Sequence, residues 1–288
     1  MKPMLASEPC EFKDMRFPLL ASYKLDGIRC LITESGPRTR SLKLVPNGYI
    51  AKLLEQLPVG LDGELVVLDD AGNVNFRATA SAVMSHDGEP KFEYRVFDKF
   101  DHPGDFFQRQ SALHELKYPS WAKIVEQEIV RSEKSVRDMF TQALEDGYEG
   151  LILRDPKAPY KHGRATTNSQ WMMKMKPWCD AEATVIGVVE AYANNNEAQT
   201  NELGRTKRST AIAGLAPKGT LGSLVVQSPH WPKPFEIGTG FTADEALALW
   251  QDASLIGKVV RFSYVDAGGY DVPRHCSYQG IRDERDMS

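Results

Sequence analysis
Short apolar runs broken by polar turns fill the first 176 residues, with two helical periods among them. Residues 17–21 read as a buried strand and residues 28–33 as a second. Ile50, Leu53, Leu54 and Leu57 recur at helical spacing, and Pro58 closes that helix. Residues 61–67 and 92–98 read as further strands; on pattern alone, Phe97 is a core residue. Residues 132–147 predict an amphipathic helix with Val136, Met139, Phe140, Ala143 and Leu144 inward and Gly147 as its stop. It leads into a buried strand with an acid, Glu149, at its mouth. In residues 171–177, Lys174 and Lys176 alternate along an apolar strand, so both amines share one face while Met175 turns to the core. This alternation of strands and helices implies a mixed α/β domain.

Beyond Pro177 the texture changes to short strand-like runs at 183–189, 221–227, 235–238 and 259–265, with Gly-rich turns between. A single helix starts at Thr242, with Glu245 completing a capping box. That outline predicts a small five-stranded barrel of the oligonucleotide-binding (OB) type, interrupted by a long polar insertion at about 192–219. An insertion of that length is commonly functional.

Composition narrows the class. A chain of 288 residues, 42% hydrophobic and 26% charged, can bury two ordinary cores. It has no apolar run of membrane-spanning length and no secretory start, and its four cysteines have no close pair. A cytoplasmic protein is expected, without zinc or disulfide framework. The net charge of −4 disfavours a polyanionic partner only on average, because binding depends on local patches. Two such patches exist: Lys157, Lys161, Arg164, Lys174 and Lys176 lie in a stretch without acids, and Arg205, Lys207, Arg208 and Lys218 face only Glu202. Either is a solvated face or a nucleic-acid surface.

The candidate chemistry sits in Lys24-Leu25-Asp26-Gly27-Ile28-Arg29, directly after the first strand. It sets an amine beside a carboxylate, a glycine free to take unusual backbone angles, and a fixed cation. A lysine becomes a nucleophile when a cation, burial or a metal lowers its proton affinity. The same residues could equally be a solvated Asp-Gly turn. Glu64, an acid in an apolar strand, either faces water or belongs to a site.

This turn resembles the nucleotidyl-lysine motif of the covalent nucleotidyltransferases, which comprise DNA ligases, RNA ligases and mRNA capping enzymes. The other motifs of that superfamily follow in order: Thr39-Arg40-Ser41, Asp62-Gly63-Glu64, Tyr94-Arg95-Val96-Phe97-Asp98, Glu149-Gly150-Leu151-Ile152-Leu153-Arg154, Lys174-Met175-Lys176, and residues 273–282. Cys276 stands where related sequences often have proline. The segment Gly204-Arg205-Thr206-Lys207-Arg208-Ser209-Thr210 is similar to the insertion of the minimal ATP-dependent DNA ligases of viruses and phages, a hairpin latch closing around duplex DNA.

The resemblance implies an α+β chain: an ATP-grasp-like nucleotidyltransferase domain of mixed sheets and helices over 1–177, then an OB-fold β-barrel over 178–288. It implies that Lys24 takes the adenylate from ATP and that Arg29, Lys174 and Lys176 contact its phosphates. Glu64 would hold the ribose hydroxyl, Phe97 would stack on adenine, and Arg40 would reach the nucleotide or the nick phosphate. Asp26 and Glu149 would bind magnesium or manganese. Arg164, with Arg205, Lys207 and Arg208, would bind DNA. From the barrel, Arg274, Arg282 and Asp286 would orient the leaving pyrophosphate after a swing about residues 177–180. The implied partner is nicked duplex DNA and the implied state a monomer. Competing readings are an RNA ligase or GTP-using capping enzyme, and a non-enzymatic OB-fold nucleic-acid-binding protein.

Overall fold
The computed structural model describes residues 2–69, 74–265 and 271–282. They form two compact units, Met1–Lys176 and Pro177–Ser288. No described helix is long and apolar enough to cross a membrane.

The first unit runs β1 (Met4–Leu5), β2 (Leu19–Tyr23), β3 (Ile28–Thr33), β4 (Gly36–Thr39), α1 (Gly48–Leu54), β5 (Leu61–Val67), α2 (Phe76–Met84), β6 (Phe92–Lys99), α3 (Phe106–His114), β7 (Ala122–Ile124), β8 (Glu128–Val130), α4 (Glu133–Glu145), β9 (Leu151–Arg154), β10 (Gly163–Arg164) and β11 (Met172–Met175). Two sheets organise it: a four-stranded sheet in the order β11-β9-β2-β8, and a five-stranded sheet in the order β4-β3-β5-β6-β7.

Strand alternation decides what each sheet buries and what it presents. On the five-stranded sheet, Cys30, Leu65, Tyr94 and Val96 pack against Ile50 and Leu54 of α1, Val83 of α2 and Leu113 of α3. On the four-stranded sheet, Leu19, Ala21, Leu151, Leu153 and Met173 pack against Val136 and Ala143 of α4, with Met175 beside them. The intervening residues Ser22, Lys24, Ile152, Met172 and Lys174 therefore face away from α4, and Arg29 and Glu64 face away from α1–α3. Those faces wall the cleft described below. Helix α4 has Ser132 as its N-cap, and Gly147 follows it at φ +80°, as the period predicts.

The second unit runs β12 (Trp178–Asn194), β13 (Ala198–Thr200), β14 (Thr206–Arg208), β15 (Leu215–Gln227), β16 (Phe235–Ile237), α5 (Ala243–Gln251), β17 (Val259–Val265) and β18 (Arg274–Ile281). Five of its strands form one sheet, β16-β15-β12-β17-β18. The expected barrel is not closed among the described residues. Instead the gap between the edge strands is spanned just past β16, where Tyr278 donates its N–H to the Thr239 carbonyl at 2.8 Å and Thr239 Oγ1 donates to the Cys276 carbonyl at 2.8 Å. Strands β12 and β15 run on past the OB sheet, and the expected insertion is largely ordered: β13 and β14 pair antiparallel, Gln199 opposite Lys207.

Candidate active site
The cleft of the first unit, about 200 Å³, lies between the two sheets. Lys24 reaches it because the ladder between β2 and β9 continues one step past Tyr23. The Lys24 N–H donates to the Gly150 carbonyl at 2.8 Å, and the Glu149 N–H donates to the Lys24 carbonyl at 3.2 Å. This exchange sets the Lys24 ammonium against the Glu149 carboxylate, and Lys176 closes on the other carboxylate oxygen. Burial pushes the Glu149 carboxyl up, but the charge and hydrogen bonds of Lys24 and Lys176 outweigh it and hold it below its ordinary value. Burial lowers Lys176, only partly offset by its bond to Glu149. Lys174, two residues earlier and on β11, pairs with Glu8 at 2.6 Å.

Gly27 is a glycine for a reason other than the expected unusual angles: it is not among the positive-φ residues. A Cβ there would lie 2.3 Å from the Leu65 carbonyl oxygen and 2.8 Å from Glu64 Cγ. Its bare backbone lets the lysine turn lie against β5. Across β3 and β5, Arg29 is the register partner of Glu64. Arg29 also forks onto Asp62, Nε to Oδ1 at 2.8 Å and Nη2 to Oδ2 at 2.5 Å. Burial works against the charged guanidinium, but Asp62 outweighs it and raises its pKa. Burial pushes the Glu64 carboxyl up to about 7, against the lowering effect of Lys24 and Arg29.

Phe97 departs from the core role that is its simplest reading in the sequence. The β5–β6 register shifts between Asp62 and Gly63, pairing Asp62 with Asp98 and Gly63 with Val96. Phe97 is the extra residue of a bulge, and alternation with the core residues Phe92, Tyr94 and Val96 turns it to the opposite face. Its half-buried ring lines the cleft with the Arg29 guanidinium 5.2 Å from its centre.

Of the sequence-predicted residues, Lys24, Arg29, Arg40, Glu64, Phe97, Arg164 and Lys174 line this one cleft, and Glu149 and Lys176 join it through Lys24. Asp26 is not on the cleft wall, although its charge raises Glu64. No group of three or more His, Cys, Asp or Glu side chains converges among the described residues. Arg205 follows the hairpin tip, and Lys207 and Arg208 lie on β14, all three exposed. Arg274 and Arg282 fall at the start of β18 and just past its end, in the second unit. Asp286 lies outside the described residues.

Sequence reasoning gave no role to several buried polar groups behind the cleft. Asp62 is fully buried and also accepts from the Tyr160 hydroxyl at 2.6 Å. Asp98, likewise buried, is held between Arg109, Nε to Oδ1 at 2.7 Å, and Arg154. Burial raises the Asp98 carboxyl, but the two arginines prevail and lower it. One signal was available: Asp62 and Glu64 are two apart on one strand and so share a face.

Comparison with known proteins gives a family. Residues 3–176 match the ATP dependent DNA ligase domain, and residues 216–282 match a DNA ligase OB-like domain. The DNA ligase of Haemophilus influenzae is 27% identical over 266 residues, covering 89% of this chain and 84% of that protein. The crystal structure of chlorella virus DNA ligase-adenylate is 28% identical with a TM-score of 0.55, covering 98% of this chain and 99% of that one. A Lig E DNA ligase structure, from work on DNA binding with a minimal scaffold, is 26% identical with a TM-score of 0.76 over 98% and 99% of the two chains.

Proposed function
Because the chain belongs to the ATP-dependent DNA ligases, whose function is nick sealing, we propose that it joins a 3′-hydroxyl to a 5′-phosphate in nicked duplex DNA, with Lys24 as the nucleophile. The observation that carries this reading is the Lys24 amine held against Glu149 in the cleft shared with Arg29, Glu64, Phe97 and Lys174.

Lys24 Nζ attacks the α-phosphorus of ATP. An N–P bond forms as the bond to the β-phosphate oxygen breaks, pyrophosphate leaves, and the amine gives up its proton. The phosphoramidate stores the activation. The 5′-phosphate oxygen of the nick then takes the adenylate from Lys24, and the 3′-hydroxyl displaces AMP to close the strand. Arg29, Lys174 and Lys176 offset the charge that builds on the phosphates. Phe97 offers its ring to the adenine, Glu64 an acceptor for a ribose hydroxyl, and Arg40 a cation for the nucleotide or the nick phosphate. Arg164 and the hairpin cations Arg205, Lys207 and Arg208 bind DNA phosphates. For Arg274, Arg282 and Asp286, pyrophosphate orientation rests on the resemblance alone.

The residues also suit magnesium. Glu149 supplies hard carboxylate oxygens kept ionised by their cations, and this ion is commonly held by one or two carboxylates together with substrate phosphates. Glu149, with Asp26 in the later steps, would hold it, and it would supply charge neutralisation at the phosphates. A chain acting as a monomer suffices for this scheme, since one copy carries every residue invoked.

The test is incubation of the purified protein with magnesium and α-labelled ATP or GTP. Label retained on the denatured chain from ATP alone, and released into a sealed strand on adding nicked duplex, is expected. Label from GTP would move the protein to the capping class. No label from either, after stripping bound adenylate with pyrophosphate, would remove the enzymatic reading of Lys24.

A further inference from the structure
Gln127 reaches the cleft from the segment joining β7 to β8, and none of the roles above uses it. Its Nε2 donates to the Val125 carbonyl at 3.2 Å, which fixes the amide and leaves Oε1 as the remaining acceptor. That oxygen is shut off from solvent and has no hydrogen-bond partner. A buried acceptor left without a donor costs free energy, so such a group calls for an explanation. A ligand that supplies the missing donor is one.

Two ladders locate Gln127 along the cleft. Val125 donates its N–H to the Val96 carbonyl at 2.7 Å, directly beside Phe97. Ala21 is the register partner of Glu128, and one further step of that register brings Gln127 alongside Ser22, whose side chain also lines the cleft. Gln127 thus shares the cleft wall with Phe97, at a register step roughly 7 Å back along β2 from Lys24. If the reacting phosphate sits at Lys24, the base of the nucleotide extends to this end.

We infer that Gln127 selects adenine, its Oε1 accepting a hydrogen bond from the exocyclic amine on the base that lies against Phe97. The inference rests on the reading of the cleft as the ATP site. Adenine presents an N–H donor at that ring position, whereas guanine presents a carbonyl oxygen. With guanine, two acceptors would face each other and the Gln127 oxygen would stay unpaired. A site built around one polar group rejects the analogue that lacks its partner far better than an apolar slot can.

The test pairs a deletion in the protein with a deletion in the nucleotide. Self-nucleotidylation by the full chain is followed with ATP and with purine riboside triphosphate, which lacks the amine. The wild-type protein is expected to prefer ATP by about tenfold in kcat/KM. Gln127→Met should lose about tenfold with ATP and treat the two nucleotides alike. Gln127→Asn keeps the amide but withdraws it by one methylene; it should lose the preference in the same way, and it carries the test if the Met variant does not fold. A wild-type protein indifferent to the amine, or folded variants that keep the wild-type ratio, would overturn the assignment. Absence of label from every triphosphate with the wild-type protein would instead strike the ligase reading itself.

Discussion
Lys24 and Glu64 share one electrostatic neighbourhood but answer to different experiments. Lys24→Ala removes the amine while Lys176 still pairs with Glu149. We expect complete loss of labelled adduct with a melting temperature within a few degrees of wild type; any remaining adduct would place the nucleophile elsewhere. Glu64 makes a pH prediction. Burial raises its carboxyl from 4.5 to about 7, so the folded chain binds that proton more tightly than the unfolded one. Its contribution to stability therefore declines as pH rises from 4.5 to about 7. Function runs the other way, because only the ionised carboxylate is a full acceptor for a ribose hydroxyl. KM for ATP in self-adenylation should fall as pH rises through about 7, and Glu64→Gln, which does not titrate, should flatten that profile. An unchanged profile in Glu64→Gln would assign the inflection to another group.

At the scale of elements, the placement of these residues depends on how strands approach one another, which single-strand patterns do not record. The period of residues 132–147 gave α4 because its apolar stripe and cap are local, and alternation along residues 171–176 put Met175 with the core and Lys174 in the cleft. Phe97 has the apolar character of a core residue, yet it falls on the face opposite Phe92, Tyr94 and Val96 and lines the cleft. The apolar pattern does not mark helix α3, although Asp105 and Gln108 form its capping box, and β12 runs beyond residues 183–189 at both ends, where Asp180, Glu182 and Glu190 interrupt the apolar run. Gly27 shows the same limit: the turn needs no positive φ, only an approach to β5 too close for a side chain. Gly27→Ala should push β5 away from the lysine turn. We expect a loss of about 1–3 kcal/mol in stability and a larger proportional loss of adenylation; wild-type adenylation would show that the approach is unnecessary. The β13–β14 hairpin tests differently. Replacing Arg205, Lys207 and Arg208 with alanine should weaken nicked-DNA binding and reduce the salt dependence of log Kd by up to about 2.7, with self-adenylation unchanged. Equal affinity would reject the latch role.

Across the whole molecule, every residue lining the cleft comes from the first unit, whereas the motif containing Arg274 and Arg282 belongs to the second. The motif order in the sequence was enough to indicate the family, and several of its residues line the cleft. The openness of the OB sheet was not legible, because closure depends on a few hydrogen bonds around Thr239 rather than on a strand period. This division makes the steps separable. Self-adenylation requires pyrophosphate to leave, whereas sealing a nick that already carries adenylate does not. If Arg274 orients pyrophosphate, Arg274→Ala should slow labelling of Lys24 by about 10²–10³-fold, the range seen when one charge-stabilising group is removed from a transition state. The same variant should seal a pre-adenylated nick at close to the wild-type rate. Equal loss in both assays would mean that Arg274 serves the fold or the DNA and not the departure of pyrophosphate. Loss in neither would remove Arg274 from the first chemical step.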